Sequence, residues 1–299
     1  MKTSDVKTDK PISKPAGRNL SYRTWRDRIL VWIFFLSVVV GIVGLLTLLI
    51  DVLIDGLPWL DWGFVTSYSS RRPAEAGIFA GLMGSVWMLV LTAAFTIPLG
   101  VGTAVYLEEF AGRNRLSRLI QLNISNLAGV PSIIYGLLGL AVFVYFLNMG
   151  RSVAAGALTM TLLVLPVVII ASQEAIRAVP GGYRDAAFAL GATRWQVVKS
   201  VVLPQSVPGV MSGIILALSR AIGESAPMLV ISSLVFLTFV PNDPGDRFTV
   251  LPLQIFTWIS FPQADFRGLA SAGIILLLIV LLAMNGIAIF IRKKYQRRE

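Results

Sequence analysis

The chain contains no cysteine and no histidine. Those two absences remove disulfides, thiolate nucleophiles, imidazole bases and the commonest zinc ligands together. Lack of cysteine leaves the redox compartment open, because it is compatible with either side of a membrane. Charge is scarce as well. Only 14% of the 299 residues are charged and 56% are hydrophobic, whereas charged residues make up about a quarter of an ordinary soluble domain. No G-x-x-x-x-G-K-[ST] occurs, so the chain has no phosphate-cradling loop of its own for a nucleotide. Serine and aspartate are present without a histidine base, an arrangement that does not suggest hydrolysis.

What the chain has instead is long apolar runs, each near the roughly 20 residues needed to cross a ~30 Å hydrocarbon core. They fall at about 29–54, 78–107, 122–147, 153–172, 207–240 and 268–291. This is the pattern of an all-α, polytopic membrane protein with six transmembrane helices and one membrane domain. The first run is too long for a signal-peptide core and no small-residue cleavage pattern follows it, so it is expected to be retained. Gly129-Val130-Pro131-Ser132 predicts a break in the third run, and Gly223 to Pro227 one in the fifth. Residues 55–77 carry Trp59, Trp62 and Tyr68, aromatics suited to a headgroup interface. Residues 241–267 read as a loop rich in Pro, Asn and Asp. Glu108 and Glu109 fall near a helix end, where one reading is a subunit contact and the commoner one is acidic side chains that are just solvated.

The net charge of +10 invites a nucleic-acid partner, but its distribution argues for a lipid bilayer instead. Six spans place both termini on one side. Twenty of the 26 Lys and Arg residues then share that side, in the tail over 1–28, the loop after the second run, the stretch 173–204 and the C-terminus. Arg71, Arg72, Arg151, Arg247 and Arg267 lie opposite. Basic loops are cytoplasmic, so both termini are expected in the cytoplasm. The basic tail suits contact with anionic lipid. The remaining arginine, Arg220, falls inside the fifth run.

Residues 173–204, QEAIRAVPGGYRDAAFALGATRWQVVKSVVLP, interrupt the membrane pattern with an amphipathic, charged segment. Pro180 suits a first helical turn. Tyr183, Ala187 and Leu190 share one apolar face. Gly191 sits where a left-handed C-cap ends the helix. Thr193 and Gln196 then form a capping box. Trp195, Val198 and Val202 give a second helix its apolar stripe, and Pro204 is expected to stop it. By periodicity alone this pair is equally a helix hairpin lying on the bilayer and a knuckle docking into another protein.

Asp185-Ala186-Ala187, followed after three residues by Gly191 and after nine more by Val201-Val202-Leu203-Pro204, closely resembles the EAA loop of ABC importer permeases. Asp185 stands where Glu is usual and Val201 where Ile is usual. The resemblance implies a coupling helix that fits a groove on a cytoplasmic ATPase, through Asp185, Ala186, Ala187, Gly191, Leu203 and Pro204.

The second informative stretch is Ser219-Arg220-Ala221-Ile222-Gly223-Glu224-Ser225-Ala226-Pro227. With the fifth run starting near Val207, Arg220 lies roughly 20 Å into the bilayer at ~1.5 Å per residue. A charge at such depth costs at least ~2.5–3.5 kcal/mol, and such residues normally mark pathways. Arg220 and Glu224 are four apart and able to pair on one helical face. One reading is a structural salt bridge fixing helix packing. The other is an oxyanion site, in which the planar donors of Arg220 take phosphate or sulfate. Gly223 and Pro227 would then free backbone N–H groups, and Glu224 would hold the arginine when the site is empty. Ser132 and Tyr135 either line the same pathway or bond neighbouring helices.

ALSRAIGESAPML around Arg220 is similar to the fifth-span signature of permeases from the bacterial phosphate-specific ABC importer. AVYLEEF at 104–110, GVPSIIYGLLGL at 129–140 and LPLQIFTWISFPQADF at 251–266 extend the likeness, the last favouring its A-type over its C-type permease. The match covers about residues 75–299. It implies a type I ABC importer (MetI-like) permease core in the bacterial inner membrane, with Arg220, Glu224 and Ser225 on the substrate pathway and phosphate moved by alternating access. It further implies a heterodimer with a C-type permease, two ATPase subunits that hold ATP and magnesium, and an extracytoplasmic phosphate-binding protein. No cofactor is expected in this chain. Alternatives kept open are the C-type subunit, a permease for sulfate or molybdate, and a passive anion channel or receptor-like signalling protein.

Overall fold

The computed structural model describes residues 20–112, 114–232 and 237–296. Residues 1–19 of the basic tail, Arg113, part of the fifth apolar run and the last three residues lie outside these. Among the described residues every regular element is helical, apart from one isolated β-bridge between Ser152 and Arg247. The chain divides after Asp51 into two units. The first holds most of α1 (Leu20–Gly56), whose apolar run is long enough to span a bilayer.

The second unit contains α2 (Trp62–Thr66), α3 (Phe79–Val105), α4 (Arg115–Leu127), α5 (Ser132–Gly139), α6 (Val153–Arg177), α7 (Gly181–Ala189), α8 (Arg194–Val197), α9 (Leu203–Gly223), α10 (Ala226–Ile231), α11 (Leu251–Ile259) and α12 (Asp265–Gln296). Wider π turns extend α3 over Tyr106–Phe110 and α5 over Leu140–Phe146, and another joins α8 to α9 over Val198–Val202. Five helices are long and apolar enough to cross a membrane, or six if the bent pair Arg115–Leu127 and Ser132–Phe146 is one span.

Small residues set the packing. On α9, Gly209 and Gly213 face Ala175 and Ala171 of α6, each pair a turn apart. A Cβ at Gly209 would stand 2.7 Å from that of Ala175. Gly100 of α3 meets Val168 of α6 in the same way, at 2.7 Å from a Val168 methyl. Lipid supplies no hydrophobic drive between helices, so such close backbone approach, with its dispersion contacts, is what holds a membrane bundle together. Between these helices Met88, Val164, Val168, Ile214 and Met228 form a buried apolar cluster. A second cluster gathers Phe64, Ile78, Trp258 and Phe266, and a third Ala104, Ile124, Ile176, Val197 and Val202.

Several expectations require correction. The third run is bent by 106° at the expected break, and the residues before it form α4, a separate amphipathic helix that starts at an Asn114 cap. Residues 241–267 are not wholly loop. Pro252 occupies the first turn of α11, where its missing N–H costs nothing. Pro204 does not stop the knuckle's second helix, because Arg194–Gly223 runs on as one candidate span. Proline lacks a donor and crowds the carbonyl four residues back. The π turn immediately before Pro204 widens the helix and accommodates both.

Candidate functional site

The knuckle folds locally as its sequence dictates. Pro180 is the residue preceding α7 rather than its first turn. Gly191 has φ +81°, a left-handed conformation that L side chains resist. Its N–H donates to the Phe188 carbonyl and that of Ala192 to the Ala187 carbonyl, at 2.9 and 3.1 Å. Thr193 and Gln196 complete the capping box in both directions. Ala187 packs against the third apolar cluster. Tyr183, Leu190 and Trp195, however, are 55%, 89% and 58% exposed. Asp185 and Ala186 are exposed beside them, as is Pro204, whereas Leu203 is half-buried. Tyr183 and Leu190 of α7 are therefore turned outward, while Ala187 between them packs inward.

Across the bundle, the two interrupted helices meet. A cavity of about 230 Å³ is lined by the bend from Leu127 to Ser132, by Leu163, Val164 and Val167 of α6, and by Ala217, Arg220, Ala221 and Glu224. Gly136 brings α5 against α10 so closely that a Cβ there would lie 2.8 Å from the Pro227 Cα. Tyr135 donates its hydroxyl to the Leu127 carbonyl at 2.7 Å, tying the two arms of the bend together. Tyr135 thus braces the cavity wall, whereas Ser132 lines it.

Arg220 sits in the last turn of α9 and is exposed. The helix ends at Gly223, and Glu224 has already turned to an extended backbone, with ψ 108°. The four-residue helical spacing therefore does not apply. No ion pair among the described residues involves Arg220 or Glu224, although both line the one cavity. Ser225 is half-buried at the start of α10 and outside the cavity lining. Sequence reasoning missed Asn285. It accepts a 2.5 Å hydrogen bond from Ser219, which anchors α9 to α12 one residue before Arg220.

It also misjudged Glu108 and Glu109, whose side chains are not freely solvated. Arg177 grips both Glu108 oxygens, at 2.6 and 2.9 Å. Gln173 also donates to Glu108, at 2.9 Å, and exchanges hydrogen bonds with Gln121 of α4. Arg184 on α7 reaches Glu109 at 2.9 Å. The partners are 69 and 75 residues apart in sequence, beyond any local signal.

Residues 96–297 match the family model of the binding-protein-dependent transport system inner membrane component. The chain belongs to that family. Among its relatives, the permease is 33% identical over 308 residues to the phosphate transport system permease protein PstA 1 of Mycobacterium tuberculosis, covering 99% of each chain. It is 33% identical to the probable ABC transporter permease protein YqgI of Bacillus subtilis, over 87% of its own length and 92% of the relative's. In fold, the permease is similar to a chain of a bacterial alginate ABC transporter, with TM-score 0.67 and 14% identity over 91% of this chain and 96% of that one. A chain of the MetNI methionine ABC transporter gives TM-score 0.59 and 18% identity, over 72% and 94%. The all-helical, type I importer fold expected from the sequence is thus the fold present. The permease is a non-catalytic component of an inner-membrane importer.

Proposed function

We propose that this permease passes inorganic phosphate into the cell by alternating access, with Arg220 as the anion's contact in the cavity. The observation that carries this is the position of Arg220. A guanidinium with no ion pair among the described residues stands where two broken helices leave a cavity, and a membrane protein that keeps a charge there ordinarily uses it. Its fork of donors matches two oxygens of a tetrahedral oxyanion. Glu224 lines the same cavity and, as a like charge to the anion, weakens binding enough for release. Phosphate, in place of another oxyanion, is supported by relatives named as phosphate transport permeases at about a third identity over nearly the whole chain.

On this reading the permease core of about 75–299 pairs with a C-type permease and two cytoplasmic ATPases, and receives phosphate from a binding protein on the outer face. Both termini and the knuckle are cytoplasmic, in keeping with the basic side. The ATPases grip the outward-facing residues around Asp185 and Gly191. Their closure on ATP rocks α6 and α9, which carry the two sides of the cavity.

The test is ATP-driven uptake of labelled phosphate in cells lacking their own phosphate importer. Unlabelled phosphate should compete, and sulfate and molybdate should not. Arg220→Gln removes charge-assisted hydrogen bonds, each of which is typically worth about 1.5–3 kcal/mol, and should assemble but transport at least ten-fold more slowly. Normal phosphate flux in that variant would reduce Arg220 to a structural residue.

A further inference from the structure

The corner between α6 and α7 is built from residues that ought to make it limp. Pro180 leads into α7 with no side-chain cap, and Gly181 and Gly182 follow, where an added Cβ would meet nothing within 4 Å. A hinge at that place would let the knuckle swivel under load and waste the movement. Two acidic side chains from a distant part of the chain oppose this. Arg184, one turn into α7, donates to the carbonyls of Val179 and Ile176 at 2.6 and 2.9 Å, and so ties α7 to the end of α6 and to the link that follows it, where the Val179 N–H reaches the Ile176 carbonyl at only 3.3 Å. The same guanidinium takes Glu109 from the end of α3 at 2.9 Å. The two charged side chains keep only 21% and 12% of their exposure. Beside them Glu108 fixes Arg177, the last residue of α6, through both oxygens.

We infer that Glu109 and Arg184 are positioning residues that turn this glycine hinge into a rigid corner, so that a push on α7 moves α3 and α6 as one body. The inference rests on the knuckle being the ATPase contact proposed above. A surface ion pair contributes little, but a largely buried pair that also carries backbone hydrogen bonds holds a fixed geometry. Because α6 supplies Leu163, Val164 and Val167 to the cavity wall, stiffness at this corner decides how much of the stroke reaches the anion.

The absence of cysteine permits a direct test. Spin labels at Tyr106→Cys, at the exposed end of α3, and Ala189→Cys, exposed at the far end of α7 and clear of the hinge glycines, report one distance across the corner in the full assembly with cysteine-free partner subunits. The parent should give a single narrow distance, unchanged by ATP. Glu109→Gln should broaden or split it. In unlabelled assemblies the same substitution should retain ATP hydrolysis while phosphate moved per ATP falls at least ten-fold. A narrow distribution in Glu109→Gln, or an unchanged ratio, overturns the inference. Should that variant not assemble, Arg184→Lys keeps the charge but loses the planar fork. It should show the same broadening to a smaller degree, and a parent-like distance would be equally fatal. A parent assembly that hydrolyses ATP without taking up phosphate would instead overturn the proposed substrate, and the distances, read without substrate, would still judge the corner.

Discussion

Substituting Gly191 isolates the cost of backbone shape in the knuckle. With φ at +81° and nothing within 4 Å of an added Cβ, a side chain there meets no steric barrier from neighbours. The whole penalty is the left-handed conformation, about 1–2 kcal/mol for an ordinary L-residue and more for a β-branched one. A penalty of one or two kcal/mol shifts a local equilibrium by a factor of about 5–30. That suffices to empty the elbow in favour of a continued helix, in which the Gly191 and Ala192 hydrogen bonds are lost and Trp195 is re-aimed. Asparagine tolerates this conformation, so Gly191→Asn should do least harm, Gly191→Ala more and Gly191→Val most. ATP-driven uptake, normalised to permease recovered in the membrane, should fall in that order, with uptake nearly abolished in the valine variant and insertion intact. Two results would refute the reasoning. One is full uptake by Gly191→Val. The other is Gly191→Asn faring worse than Gly191→Ala, since asparagine is the larger and only volume could explain that order.

Gly136→Ala should lower both thermal stability and uptake, because its Cβ would come within 2.8 Å of the Pro227 Cα and overpacking costs about 1–3 kcal/mol. Gly102→Ala, in open space on α3, should leave a melting curve and uptake unchanged. Thr193→Ala removes one half of the capping box, worth about 1 kcal/mol. A several-fold loss of uptake is expected, restored by Thr193→Ser. Ser219→Ala breaks the bond to Asn285 and should weaken the apparent affinity for phosphate more than it slows maximal transport.

The parts of the fold that were legible in the sequence are those decided by near neighbours. Gly191, Thr193 and Gln196 act within six residues of one another, and their elbow has the form their spacing required. The breaks at Gly129 to Ser132 and near Gly223 were legible for the same reason. Less visible was α4, because Arg115, Ser117 and Arg118 give it a polarity that reads as loop until Ile120 and Ile124 find an apolar cluster to pack on. In α11, Pro252 is punctuation at a first helical turn and not a breaker, a distinction that the composition of 241–267 hides. The pairing of Arg220 with Glu224 assumed a helix that Gly223 in fact ends. Glu108 and Glu109 could not have been assigned, since their partners arrive only when α3, α6 and α7 are assembled.

The helix that starts at Arg194 and ends at Gly223 joins the exposed Trp195 to Arg220 with no break, a reach of about 37 Å at ~1.5 Å per residue. Such a rod fixes direction as well as distance. One inserted residue would swing Arg220 by ~100° around the axis and aim it away from the bend at Pro131. Only insertions of about seven or eleven residues, near-whole pairs or triplets of turns, would restore that bearing, and even seven would carry Arg220 about 10 Å along the axis, away from the cavity. The compass bearing of the arginine inside the membrane is thus set by residue count from the knuckle.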